Sequence, residues 1–193
     1  MRDSTTEREQ QRNPCGKLKK TVYEVMSHRN EIRCLSEVVI KEIETMGVEA
    51  NFQQLELVLL EALTNALLYG NLAVSSQVRD TEGEDTFWQL VEERETDSKF
   101  GSRKIVLEVD CIGGELRFKI RDQGAGFDWR SYPKSTDTRD EESCHDRGIL
   151  LIQNYVDALV WNDKGNEITF SIRLARKPID RRKRENGAHT QEG

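Results

Sequence analysis

Apolar residues recur at helical spacing in two early segments of the chain. Ile32, Leu35, Val39, Ile43 and Met46 follow a period near 3.6. They predict a helix capped by Asn30 and ending near Gly47. Leu55, Val58, Leu59, Ala62 and Ala66 form a second stripe, with Asn51 placed to cap it. Ahead of both, Lys19 to Ser27 alternates well enough for a first strand. Further on the period changes to two. Lys104 to Asp110 and Leu116 to Asp122 read as strands joined across Gly113-Gly114, a hairpin signal. Asp157 to Asp163 and Glu167 to Leu174 read as a second hairpin around Lys164-Gly165-Asn166. These elements predict an α/β chain of the α+β kind, a two-layer sandwich with helices on one face of a mixed, largely antiparallel sheet.

Polar residues interrupt this pattern at three places. The second helical stripe leaves Glu61 and Asn65 at its edge, one turn apart on a shared face. A carboxylate and an amide so placed suit a hydrated metal ion and a phosphate chain, although a solvated helix face would look the same. The strand at Ile120 runs into Asp122, then Gly124 and Gly126. A carboxylate at a strand end can accept a hydrogen bond from a purine amino group, and glycines let the backbone approach a ligand closely. Gly148 opens an apolar helix, Arg147 to Asp157, and such helix starts receive anionic phosphate well.

Taken in order, Glu61-Ala62-Leu63-Thr64-Asn65-Ala66, Asp122-Gln123-Gly124-Ala125-Gly126-Phe127 and Gly148-Ile149-Leu150-Leu151-Ile152 resemble the motifs of the Bergerat-fold ATP-binding domain. Gyrase, a heat-shock chaperone family, histidine kinases and the MutL proteins share that domain. The chain is most similar to its anti-sigma factor serine/threonine kinase branch, over roughly residues 20 to 175. It carries Tyr69-Gly70 where the family commonly has His-Gly, and Asp146 where the lid commonly has its first glycine.

The resemblance implies ATP and Mg²⁺ as cofactors and assigns roles at the matching positions. Asn65 would be the Mg²⁺ ligand, Asp122 would accept the adenine amino hydrogen, and Gly124 and Gly126 would let the loop pass the base and ribose. Gly148 would face the phosphates, and Thr169 would reach adenine through water. Glu61 would be the general base, and Arg147 would stabilise γ-phosphate charge. The partners implied are a sigma factor as client and an antagonist protein as phosphoryl acceptor, with a homodimer as the assembly. No phospho-accepting helical hairpin or transducer segment is visible, which disfavours histidine-kinase and gyrase-like activities. A noncatalytic ATP-dependent interaction module of the same fold is the alternative, and Asp146 favours it.

Composition divides the 193 residues into a domain at 19–175 with polar tails at 1–18 and 176–193, the second basic. A polar insertion covers 72–103, and an acidic stretch at 129–147 suits a lid. Phe87, Trp88, Leu90 and Val91 predict a helix over Thr86 to Arg94, docked by its aromatic face as satellite core. The formal charge of −6 argues against direct nucleic-acid binding. No run approaches the ~20 apolar residues of a membrane span. Cys15, Cys34, Cys111 and Cys144 have no metal-ligand spacing with His28, His145 or His189. Reduced thiols in a cytoplasm are the simplest expectation. Cys144-His145 shows no third orienting group for a catalytic nucleophile.

Overall fold

A computed structural model describes residues 20–131 and 147–174. The expectations for the two tails, for Asp146 and the lid around it, and for Cys144-His145 lie outside the described residues. Strand β1 (Thr21–Met26) leads into helices α1 (Arg29–Thr45) and α2 (Phe52–Asn65). A π-helical turn, Ala66–Asn71, continues α2. Two further helices, α3 (Gln77–Glu82) and α4 (Glu84–Thr96), precede the hairpin of β2 (Lys104–Ile112) and β3 (Glu115–Arg121). Helix α5 (Arg147–Tyr155) and the hairpin of β4 (Ala158–Trp161) and β5 (Glu167–Arg173) complete the described chain.

The five strands are ordered β1-β2-β3-β5-β4. Every neighbouring pair is antiparallel, which corrects the expectation of a mixed sheet. β4 runs in the direction of β3, but β5 lies between them, so no parallel ladder forms. Period-two alternation puts Ile105, Leu107, Val109, Leu116, Phe118, Ile120 and Phe170 on the buried face. Phe118 stacks on Phe170 across the β3–β5 pair with ring centroids 5.0 Å apart. The opposite face carries a charge ladder. Glu108 pairs with Lys20 at 2.7 Å, and Glu167 takes Arg121 at 2.5 Å and Lys119 at 3.8 Å. Exposed pairs of this kind add little stability, and their main effect is to keep that face wet.

Asn51 caps α2 as expected, accepting from the Gln54 amide at 3.2 Å. Asn30 does not cap α1. The cap position is His28, which makes no side-chain cap bond, and Glu31 reaches back to the Met26 amide at 2.7 Å instead. The first amide of α1, Arg29, donates to Glu95 Oε1 of α4 at 2.7 Å, so a carboxylate distant in sequence takes the place of an Asx cap.

The insertion holds two helices rather than one. Gly83, at φ +93°, separates α3 from α4, and α3 has no buried residue that could have announced it. Phe87 and Val91 of α4 are fully buried in the common core, and Arg79 stacks 4.2 Å over the Phe87 ring. Truncating Phe87 to Ala is expected to destabilise the fold by about 3–5 kcal/mol. Urea unfolding of the variant would show this as a lowered midpoint at unchanged slope.

Cys111 is disulfide-bonded and Cys34 is a free, exposed thiol, so the expectation of four reduced cysteines does not hold. Among the described residues no helix is long and apolar enough to cross a membrane.

Candidate functional site

Between α2, the π-turn, α5 and the β3 and β5 strand ends lies a cavity of about 340 Å³. That size is in the range of small-molecule sites. Its lining joins parts of the chain a hundred residues apart: Asn65 and Tyr69, Asp122 and Phe127, Ile149 and Ile152, Trp161 and Asn166.

At one end, the apolar stripe of α2 fixes the rotation of the helix. Leu59, Ala62 and Leu63 face the core at 2 % exposure or less, which turns Glu61 and Asn65 toward α5. A Cβ placed on Gly148 would sit 1.9 Å from Glu61 Oε1 and 3.4 Å from Asn65 Nδ2. Only glycine therefore lets the α5 N-terminus come this close to the carboxylate. Burial pushes the Glu61 carboxyl above its ordinary range, and its hydrogen bond with Asn65 offsets part of that rise. A half-buried, more basic carboxylate next to an amide is equipped to hold a hydroxyl proton.

At the other end stands Asp122, 9 % exposed, just past the end of β3. Its Oδ1 accepts from the Gly124 amide at 2.7 Å. Its backbone is pinned to the β4–β5 turn on both sides. The Asp122 amide donates to Asn166 O at 3.0 Å, and Asn166 Nδ2 donates to Asp122 O at 2.9 Å. Burial raises this carboxyl to about 6, against the Gly124 hydrogen bond and the Lys164 charge that lower it. Gly70 and Gly124 pack directly on the carboxylate: added Cβ atoms would lie 2.5 Å from Asp122 Cγ and 2.8 Å from Asp122 Oδ1. Gly126, at φ +82°, does line the cavity, and a Cβ added there would lie 1.9 Å from the Lys164 carbonyl oxygen.

One residue named from sequence stands apart from this constellation. Thr169 pairs in register with Lys119 and with Val160, which is 61 % exposed, so strand alternation puts it on the wet face of the sheet. Ile168, its neighbour, lines the cavity in its place. Arg147 begins α5, but its side chain lies outside what is described. Gly124 packs behind Asp122 and does not line the cavity.

Sequence reading missed other contributors. Ala73, Val74, Ser75 and Ser76, at the start of the insertion, form one wall. Trp161 forms another, stacked 5.9 Å from Trp129 and edge-on to Phe127 at 6.1 Å. Asn71 is fully buried: its amide donates to Ser27 Oγ at 2.8 Å and its Oδ1 accepts from the Gln123 amide at 2.7 Å. Nothing local in these residues marked them. Asn166 was legible only as a turn former.

Known proteins bear on this arrangement. A profile of the histidine kinase-like ATPase domain matches residues 31–172. No curated protein matches the chain in sequence. Among solved structures, the RsbU and RsbW domains of Rv1364c from Mycobacterium tuberculosis are similar, with a TM-score of 0.47 and 12% identity over 82% of this chain. The chain spans 33% of that structure's length. The family match runs from the first turn of α1 almost to the end of β5, and so takes in both ends of the cavity. This chain belongs to the histidine kinase-like ATPase domain family.

Proposed function

We propose that the cavity binds ATP with Mg²⁺ and that the protein is a regulatory serine/threonine kinase of the anti-sigma type, phosphorylating a hydroxyl of an antagonist protein and sequestering a client such as a sigma factor. The observation that carries the catalytic part is the juxtaposition of Glu61, Asn65 and Gly148. A carboxylate of raised proton affinity stands against Gly148, one helical turn from Asn65, which lines the cavity. A pure binder has no use for such a base.

The residues present fit the nucleotide. The Asp122 carboxylate faces the cavity where the purine amino group would donate to it. Trp161 and Phe127 offer flat apolar surface for the base. Asn65 lines the same cavity and brings an amide oxygen, the donor type Mg²⁺ takes. Among the described residues there is no cluster of three His, Cys, Asp or Glu for a metal. Asn65 would hold the ion, which would supply charge neutralisation for the phosphates. Glu61 would accept the proton of the attacking hydroxyl, and Asn65, hydrogen-bonded to Glu61, keeps that carboxylate oriented. The α5 N-terminus adds amide dipoles for negative charge.

Calorimetric titration of ATP tests the site. Binding is expected with Mg²⁺, weakened by EDTA and by Asn65→Ala. An Asn65→Ala protein that binds Mg-ATP as tightly as the unmodified chain would remove Asn65 as the metal ligand.

A further inference from the structure

The 72–103 insertion has an arrangement that core packing alone does not require. The π-turn ends with carbonyls that no helix amide reaches, and two arginines of the insertion take three of them in a row. Arg103 Nη1 donates to Asn71 O at 2.6 Å. Arg94 Nη1 donates to Leu72 O at 2.6 Å and to Ala73 O at 2.5 Å. Both guanidiniums lie on the same ring, Phe100, at 4.9 Å and 5.1 Å from its centroid. The ring is itself set by a tight turn in which the Phe100 amide donates to Asp97 O at 3.1 Å.

What these arginines hold is one wall of the nucleotide cavity. Ala73 has φ +51°, a left-handed conformation that is unfavourable for a residue with a Cβ and persists only where the surroundings impose it. Ala73, Val74, Ser75 and Ser76 line the cavity. The same stretch leans on the base-reading end. Gly70 packs against the Asp122 carboxylate, and Asn71 holds the amide of Gln123, the residue after it.

We propose that the insertion is a clamp on the nucleotide cavity, in which Arg94 and Arg103, stacked on Phe100, are positioning residues that hold the 71–76 wall against Asp122 and set both the tightness and the adenine selectivity of nucleotide binding. This rests on the ATP reading of the cavity. Guanidinium suits the task because its planar fork can cap neighbouring carbonyls while its face lies on an aromatic ring, which an ammonium cannot reproduce. Without the clamp the segment keeps the burial of Leu72 and Val74 and the Val74 amide bond to Leu68 O at 2.9 Å, but it loses the donors on Asn71 O, Leu72 O and Ala73 O that hold Ala73 at φ +51°. It relaxes away from Asp122, and the slot that distinguishes an amino from a carbonyl substituent on the purine widens.

The test is calorimetric titration of Mg-ATP and Mg-GTP into the full chain, at a temperature where every variant is folded by circular dichroism. The unmodified protein prefers ATP. Arg94→Ala is expected to weaken ATP on the order of tenfold and to narrow the ATP-to-GTP ratio, with Arg94→Lys restoring only part of both. Val39→Ala, a cavity in the core of α1, lowers stability and should move neither quantity. Arg103→Ala adds a readout that loss of packing does not mimic. Burial raises the Asp122 carboxyl, while Lys164 and Arg103 are the cations that hold it down. The pH midpoint of ATP binding should therefore move upward. Unchanged ATP affinity and ATP-to-GTP ratio in both Arg94 variants would overturn the clamp. If Arg94→Ala does not fold, the same two quantities in Arg94→Lys and Phe100→Leu decide. Failure of the unmodified chain to bind any ATP would instead overturn the nucleotide reading beneath it.

Discussion

Glu61→Ala is expected to lower phosphoryl transfer from ATP by about 10²–10⁴-fold, the usual contribution of a positioned general base, while nucleotide affinity stays nearly intact. The split follows from the geometry. Asn65 and Asp122 line the cavity, whereas Glu61 stands beside it, against Gly148. In the proposed reading its carboxylate therefore acts on the attacking hydroxyl rather than holding the nucleotide. Glu61→Gln is the cleaner variant, since it keeps the shape and the contact with Asn65 and removes only the basicity. The measurement is radiolabel transfer to the antagonist protein beside calorimetric ATP binding. Transfer at the unmodified rate in either variant would remove Glu61 from the chemistry and return the protein to the noncatalytic interaction module. Transfer should also fall at acid pH, because burial raises the proton affinity of Glu61 and a protonated carboxyl cannot serve as the base.

Asp122→Asn should separate affinity from stability in opposite directions. In the folded protein burial raises the Asp122 carboxyl to about 6 from an ordinary 3.8. A carboxyl raised on folding binds its proton more tightly in the native state. Its favourable contribution is present at low pH and is lost as pH rises from about 4 through 6. Above that window the ionised carboxylate costs the fold on the order of 2–3 kcal/mol, since each tenfold change in proton affinity is worth about 1.4 kcal/mol. Asparagine has no such cost and keeps an oxygen for the Gly124 amide. The variant should thus melt higher than the unmodified protein at pH 7.5 and at nearly the same temperature near pH 4.

Binding runs the other way. With the ionised carboxylate as the proposed acceptor of the adenine amino hydrogen, ATP affinity of the unmodified protein should rise with pH up to about 6 and then level off, changing by up to about tenfold per pH unit below that point. Asp122→Asn should be flat with pH and weaker at neutrality by about one to two orders of magnitude, since a charge-assisted acceptor is lost. Calorimetry and thermal melts at four pH values check both halves. A variant less stable than the parent at pH 7.5, or one that binds ATP equally well, contradicts the assignment.

Much of the fold was legible because its signals are local. The two helical stripes, the Gly113-Gly114 hairpin and the Asn51 cap each depend on residues within a few positions of one another. The same holds for Glu61 with Asn65, whose shared face follows from helical periodicity alone. Thr169 shows where such reading stops. A strand residue sits on one of two faces, and only the pairing of Thr169 with Lys119 and Val160 shows that it lies on the wet one. Helix α3 escaped for a related reason. It buries nothing, and so leaves no apolar period to detect.

From the residues alone came the family's motif order, the identity of the base and metal candidates, and the two-layer architecture, because periodicity and residue chemistry are properties of short segments. Tertiary structure alone decided that the strands pair without a parallel ladder, that Gly148 abuts Glu61 across 87 residues of chain, and that the insertion braces a cavity wall through Arg94 and Arg103. Those facts depend on which distant backbone groups are left without partners once the core has packed. A buried carbonyl must find a donor wherever the fold can supply one, and the place of that donor along the chain is written in no local pattern.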